Sequence, residues 1–304
     1  MIPPSIHGAV GGSGAGTVWA TGQHSPTVQR RGRYVPESVA HPAKMLPAVA
    51  AHAIAAYTQP GDLVLDPMCG IGTTLVEALH QDRRAVGVEY EIGWAELARA
   101  NIDLTGPLRR GKGRVFTGDA RHLDYVLPPN LLGQVALVVT SPPYGPSTHG
   151  HVTTDHTGVH KRNHRYGDLL DRGNLANIGH HRLLAGFTRI LTLTAPYLRP
   201  GGRVVITVRP WREHAELIDL PAQIQACARA AGLAPVERCV ALLGRVTETG
   251  GFVARGSFFQ RDFIHRQRAR GLPLHLIAHE DVIVAEEAQS PGSSPAAIDP
   301  GSAG

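Results

Sequence analysis

The apolar run Val135-Ala-Leu-Val-Val-Thr140, cut off at once by Ser141-Pro142-Pro143-Tyr144, constrains the fold of this chain more than any other feature. An unbroken apolar run bounded by turn formers reads as a strand buried on both faces, the habit of parallel sheets. Similar runs stand at Leu63–Asp66, Ala85–Val88, Val115–Gly118 and Val204–Val208. Helical patterns start near Thr73, span Ile92–Leu104, lie near Leu183–Leu198 and cover Glu213–Ala231. Late strands fit Val236–Leu242 and Val282–Ala285, the last extending back toward His279. Repeated strand–helix units predict one α/β domain over about residues 35–288, a doubly wound parallel sheet with helices on both faces.

Outside this domain the composition changes. Residues 1–16 and 289–304 are rich in Gly, Pro and Ser and are expected to be disordered. Residues 1–34 as a whole read as a disordered or loosely attached basic arm, carrying Gln29-Arg-Arg-Gly-Arg33-Tyr34. Two stretches interrupt the strand–helix rhythm and read as substrate-facing insertions. The first, 145–181, holds seven of the seventeen histidines. Their spacing matches no ordinary zinc pattern, so no metal site is expected, and a plain polar insertion is the alternative. The second, 244–273, interleaves Arg255, Arg261, Arg266, Arg268 and Arg270 with Phe258 and Phe259. It suits phosphate contacts and base stacking, or else a solvated basic helix after a β-hairpin. A formal charge of +5 and an isoelectric point near 9.4 favour a polyanionic partner. Three cysteines make no disulfide framework and suit a reduced cytoplasm. Neither a membrane span nor a signal peptide is expected.

The tetrapeptide closes a strand at the sheet edge where open α/β folds bind ligands. Pro142 and Pro143 stiffen the backbone and remove two N–H donors. Acceptors remain, the Ser141 hydroxyl and the Pro142 carbonyl, beside the Tyr144 ring. That set suits a planar group bearing an NH2. A second candidate site is Asp66-Pro-Met-Cys-Gly70-Ile-Gly72-Thr-Thr74, which ends one strand and opens a helix. Gly70 and Gly72 permit a sharp turn and close approach to a ligand. Glu89, ending the next strand, is placed as a ribose-gripping carboxylate. Neither G-x-G-x-x-G nor a Walker lysine is present, which argues against a dinucleotide or a phosphate cradle.

These residues resemble the amino-directed S-adenosylmethionine-dependent methyltransferases, which modify N4 of cytosine or N6 of adenine in DNA. The family's cofactor loop looks like Asp66-Pro67-x-x-Gly70-x-Gly72-Thr73, and its catalytic signature like Ser141-Pro142-Pro143-Tyr144. A third element is similar to His41-Pro42-Ala43-Lys44. The resemblance covers about residues 35–210 and implies a Rossmann-like class I methyltransferase fold. Such a fold has a mostly parallel seven-stranded sheet with one antiparallel strand. It further implies S-adenosylmethionine as cofactor, held by Asp66, Pro67, Cys69, Gly70, Gly72 and Thr73, with Glu89 on the ribose. Asp119 would meet the adenine amino group, with a helix N-cap as the alternative or additional role. Ala43 and Lys44 would lie near the methionine end, against the reading of Lys44 as a solvated helix-start lysine.

By the same resemblance, Ser141 and the Pro142 carbonyl would accept the amino hydrogens of a base flipped out of its stack, and Tyr144 would stack on it. Cys69 inside the cofactor loop reads as small-residue packing rather than a nucleophile, since carbon-5 methylation is expected on a Pro-Cys motif. Serine at 141 leans toward cytosine N4. No separate target-recognition domain of ordinary size follows, which leaves specificity to 145–181 and 244–273. The tRNA guanosine N2-methyltransferases are the runner-up family, although the residues before His41 are too few for their usual RNA-binding module. Protein glutamine methylation and a non-catalytic, cofactor-occupied nucleic-acid-binding scaffold complete the alternatives.

Overall fold

The computed structural model describes residues 16–143, 151–155, 158–162, 174–175, 179–213, 215–256 and 258–288. Eight strands, numbered along the chain, build the main sheet: β1 (Val18–Trp19), β2 (Leu63–Asp66), β3 (Arg84–Glu89), β4 (Gly113–Thr117), β5 (Val135–Thr140), β6 (Leu198–Val208), β7 (Leu233–Leu242) and β8 (His279–Glu287). Their spatial order is β1-β7-β8-β6-β5-β2-β3-β4. Every neighbouring pair is parallel except those involving β8, which runs antiparallel to both β7 and β6. The expected seven strands with one reversed are present, and β1 adds an eighth at the edge. From β2 the chain winds outward to β3 and β4, then returns to β5 on the other side of β2. The switch point therefore lies between β2 and β5, where such sheets open a crevice.

Alternation along each strand sends neighbouring side chains to opposite faces. Leu65, Val138, Ile206 and Ile283 join one core with Phe187, Ile190, Leu191 and Ile224, from the helices α4 (His180–Thr194) and α5 (Leu220–Ala230). Val64, Leu137, Val205 and Val282 join the other with Val49, Leu75, Leu79 and Ile102, from α1 (Pro47–Tyr57), α2 (Thr73–His80) and α3 (Ile92–Asp103). A chain buried on both faces needs apolar residues at every position, which is why β5 is buried from end to end.

Two features depart from the sequence expectations. Residues 18–34 are packed onto the domain and do not form a loose arm. β1 pairs with β7, Trp19 is buried against the His52 ring, and the Gln29 side chain donates to the carbonyls of Thr21 and His24. Arg33 bonds Glu77 at 2.7 Å, and the Tyr34 hydroxyl bonds the other oxygen of the same carboxylate. The helix expected over Glu213–Ala231 begins only at Leu220, where Asp219 caps it through the Ala222 N–H and Pro221 sits in its first turn. The residues before it form a small hairpin, Trp211–Glu213 with Glu216–Ile218. The 244–273 insertion has the form of the second of its two sequence readings, a hairpin of Gly244–Val246 with Phe252–Ala254 followed by the basic helix α6 (Phe258–Ala269). In the 145–181 stretch the backbone forms a third hairpin, His151–Asp155 with Gly158–Arg162.

Candidate active site

Because β4, β3, β2 and β5 are neighbours running the same way, their carboxyl ends share one edge. Asp119 follows β4, Glu89 ends β3, Asp66 ends β2 and Ser141 follows β5. With strands about 4.8 Å apart, these four stand in that spatial order along a single row. They line one cavity of about 430 Å3, together with Ala43, Lys44, Pro67, Cys69, Gly70 and Thr73. Gly72, which the sequence also placed here, shapes the turn beneath it. Pro142 and Pro143 line the same cavity. Tyr144, and His149, His156 and His164 of the 145–181 stretch, lie outside the described residues.

The loop after β2 is built by its own hydrogen bonds. Asp66 accepts from the Met68 N–H at 3.1 Å and from the Thr74 hydroxyl at 2.7 Å, tying the strand end to α2. Gly70 and Gly72 have positive φ, 52° and 79°. A Cβ on Gly72 would stand 3.2 Å from that of Ala98, so the glycine also lets α2 approach α3. The Gly70 N–H donates to Glu89 Oε2 at 2.8 Å, and the Glu91 N–H donates to Glu89 Oε1 at 2.9 Å. Each Glu89 oxygen thus keeps lone-pair capacity for one further donor.

Asp66 and Glu89 are buried, and neither makes an ion pair among the described residues. Burial pushes the Asp66 acid up to about 6, against the bonds from Thr74 and Met68. Burial likewise pushes Glu89 up to about 7, against its two backbone donors. Buried carboxylates without a cation cost free energy unless a ligand brings donors or positive charge. S-adenosylmethionine carries ribose hydroxyls, an ammonium and a sulfonium, and these residues fit it.

Lys44 donates to the Val39 and His41 carbonyls, and burial, with Arg30 nearby, lowers its pKa to about 8. It is a half-buried wall residue of the cavity, not a solvated helix-start lysine. Asp119 is a cap: it accepts from the Arg121 N–H and pairs with the Arg121 guanidinium at 2.6 Å. Burial alone would raise its pKa, but the Arg121 bonds prevail and hold it low. Cys69 packs against the backbone of Gly87, where an added Cβ would come within 2.7 Å of its sulfur. Burial, with Glu89 and Asp66 nearby, keeps its thiol protonated, contrary to what a nucleophile needs. Among the described residues no group of His, Cys, Asp and Glu could hold a metal ion.

Sequence reasoning missed other wall residues. Thr207 and Arg209 at the end of β6, and Glu280 at the start of β8, face the cavity. His41 does too, its ring edge-on to Trp94 at 4.7 Å and beneath Gly70. His41 was within reach as part of the His-Pro-Ala-Lys segment. Glu280 had only a weak signal, an acidic residue opening an apolar strand.

Sheet order, reversed last strand and row of strand-end residues together define a class: the Rossmann-like methyltransferase fold with S-adenosylmethionine as its cofactor. Comparison with known proteins narrows this. Residues 9–100 match the family described as DNA methylase, of the N6/N4 type. Two curated tRNA (guanine(10)-N2)-dimethyltransferases also match. That of Methanocaldococcus jannaschii is 33% identical over 109 residues, covering 36% of this chain and 31% of the relative. That of Methanothermobacter thermautotrophicus is 34% identical over 121 residues, covering 39% and 31%. The alignments thus span about a third of each relative's length. Among solved structures, TrmN from Thermus thermophilus superposes with a TM-score of 0.50 at 18% identity, covering 86% of this chain and 53% of that one. The chain resembles the amino-directed methyltransferases over residues 9–100 and is similar over somewhat more than a third of its length to the two tRNA (guanine(10)-N2)-dimethyltransferases.

Proposed function

We propose that this protein transfers a methyl group from S-adenosylmethionine to an exocyclic amino nitrogen of a nucleic-acid base. One observation carries the reading: Ser141 and Pro142, which offer acceptors and no backbone donor at the prolines, share a cavity with Asp66, Gly70 and Glu89. The cofactor supplies an electrophilic methyl on a sulfonium. Glu89 would hold the ribose hydroxyls and Gly70 admit the cofactor backbone closely. Lys44 and Ala43 would border the methionine end, and Asp119 the adenine end.

An exocyclic amine is a weak nucleophile because its lone pair is delocalised into the ring. Ser141 Oγ and the Pro142 carbonyl would accept its two hydrogens, hold the nitrogen pyramidal and leave the lone pair free for in-line attack. This is positioning with electrostatic help, without a strong base. Tyr144 would stack on the base. Ser141→Ala is expected to lower labelled methyl transfer to nucleic acid by at least about a hundredfold, the size seen when one positioned donor or acceptor is lost at a reacting centre. Cofactor binding by equilibrium dialysis should stay within about threefold. Transfer by the variant at the wild-type rate would refute the assignment.

The polymer has two readings. DNA, modified at cytosine N4 or adenine N6, is supported by the DNA-methylase match and by serine at 141. tRNA, modified at guanine N2, is supported by what the curated relatives are named for. Either suits an outer face bearing the exposed Arg261, Arg266, Arg268 and Arg270 of α6 and the turn after it.

A further inference from the structure

The cavity has a second wall that methyl transfer does not employ. Because β8 runs antiparallel to β6, with Asp281 opposite Val208, the start of β8 meets the end of β6. Glu280, Thr207 and Arg209 therefore stand at the edge that carries Ser141. Strand order places them beyond Ser141, on the side away from Glu89 and Asp119. The cofactor residues occupy one end of the row and these three the other, with Ser141 between.

Two atoms on this wall lack partners. Thr207 Oγ1 and Glu280 Oε2 are buried and accept or donate no hydrogen bond among the described residues. An unsatisfied buried carboxylate oxygen is costly and rare, and one that lines a cavity points to a ligand that completes it. Burial raises the Glu280 acid, while Arg209 and His279 draw it back toward ionisation. Arg209, on the same wall, brings guanidinium donors.

Resting on the methyl-transfer reading, we propose that Glu280 selects the target base by accepting the ring N–H beside the methylated amine, which makes that base guanine. Guanine presents three groups in sequence along one edge: the N2 amine, the N1–H donor and the O6 acceptor. Ser141 and Pro142 would take the amine hydrogens, Glu280 the N1–H, and Arg209 would donate to O6. Cytosine and adenine place a bare ring acceptor, N3 or N1, next to their amine. With Arg209 and the bound N1–H both favouring its ionised form, the carboxylate would repel them, and a buried mismatch of this kind discriminates strongly. Thr207 adds a hydroxyl that can adapt to either role.

The test uses the full chain and its Glu280→Gln and Glu280→Ala variants, each given labelled cofactor with bulk tRNA and with genomic DNA. The products are digested and identified as methylated nucleosides. Wild type is expected to yield N2-methylguanine. Glu280→Ala should lose about 10- to 100-fold in kcat/KM for guanine, the worth of a charged hydrogen bond. Glu280→Gln, of the same volume, should lose less. Both should keep wild-type cofactor binding by equilibrium dialysis. N4-methylcytosine or N6-methyladenine as the wild-type product would overturn the guanine assignment while leaving methyl transfer to an amine intact. Guanine methylation by Glu280→Ala at the wild-type rate would overturn the role of Glu280. Cofactor binding with no transfer to either polymer would overturn the parent reading, and this one with it.

Discussion

Asp66 illustrates how a binding residue strains the protein that carries it. Its acid dissociates near pH 6 in the fold, against an ordinary value of 3.8, because burial outweighs the Thr74 and Met68 bonds. The folded state therefore holds this proton more tightly than the unfolded chain does. The stability it contributes is full below about pH 4 and is lost as pH rises through 6. Asn at this position can accept from the Met68 N–H through Oδ1 and donate its amide to the Thr74 hydroxyl, and it cannot ionise. Ligand-free Asp66→Asn is thus expected to lose part of the fall in melting temperature between pH 5 and pH 7.5. At pH 7.5 it should melt a few degrees above wild type, for a relief on the order of 1–3 kcal/mol, while binding cofactor more weakly. Thermal melts at both pH values check this, and a steeper fall in the variant would contradict it. Asp66 and Glu89 were legible in the sequence because each closes an apolar run. Asp119 was legible in both of its possible roles, and Arg121, two residues on, explains its capping arrangement. Glu280 was not legible as a site residue, because only the reversed direction of β8 brings its position to the edge holding Ser141.

Among the elements, the βα units were readable because strands buried on both faces leave unbroken apolar runs. Boundaries failed where a local cap overruled periodicity, as when Asp219 and Pro221 delayed α5 to Leu220. The N-terminal segment failed for a different reason. β1 has only two residues, and its anchors are scattered: Trp19 in the core, Gln29 on nearby carbonyls, Arg33 on Glu77. Gly22 packs so tightly on the backbone of Gly244 that an added Cβ would come within 2.3 Å of its nitrogen. No periodicity announces such contacts. Trp19 is 2% exposed, so Trp19→Ala should destabilise the whole domain by about 3 kcal/mol, as aromatic truncations in cores do. Denaturant unfolding measures this. A loss below about 0.5 kcal/mol would mean that the segment is a dispensable arm after all.

At the scale of the whole molecule, one edge of one sheet gathers Asp66, Glu89, Asp119, Ser141 and Glu280 around one cavity, because five parallel strands and one reversed strand finish or begin there. The exposed arginines of α6 and the turn after it, in a chain of formal charge +5, form a cationic surface, and under the proposed function this would meet the polymer. The fold and the cofactor end were readable in order along the sequence. The Glu280 wall was not, because β8 reaches that edge only by reversing, with β6 between it and the strand that carries Ser141. The most direct test of the central claim is the position of the methyl group on product nucleosides after reaction of wild-type protein with labelled cofactor and mixed nucleic acids. The account predicts label on an exocyclic amino nitrogen. Label on a ring carbon, a ring nitrogen or a ribose oxygen would contradict it.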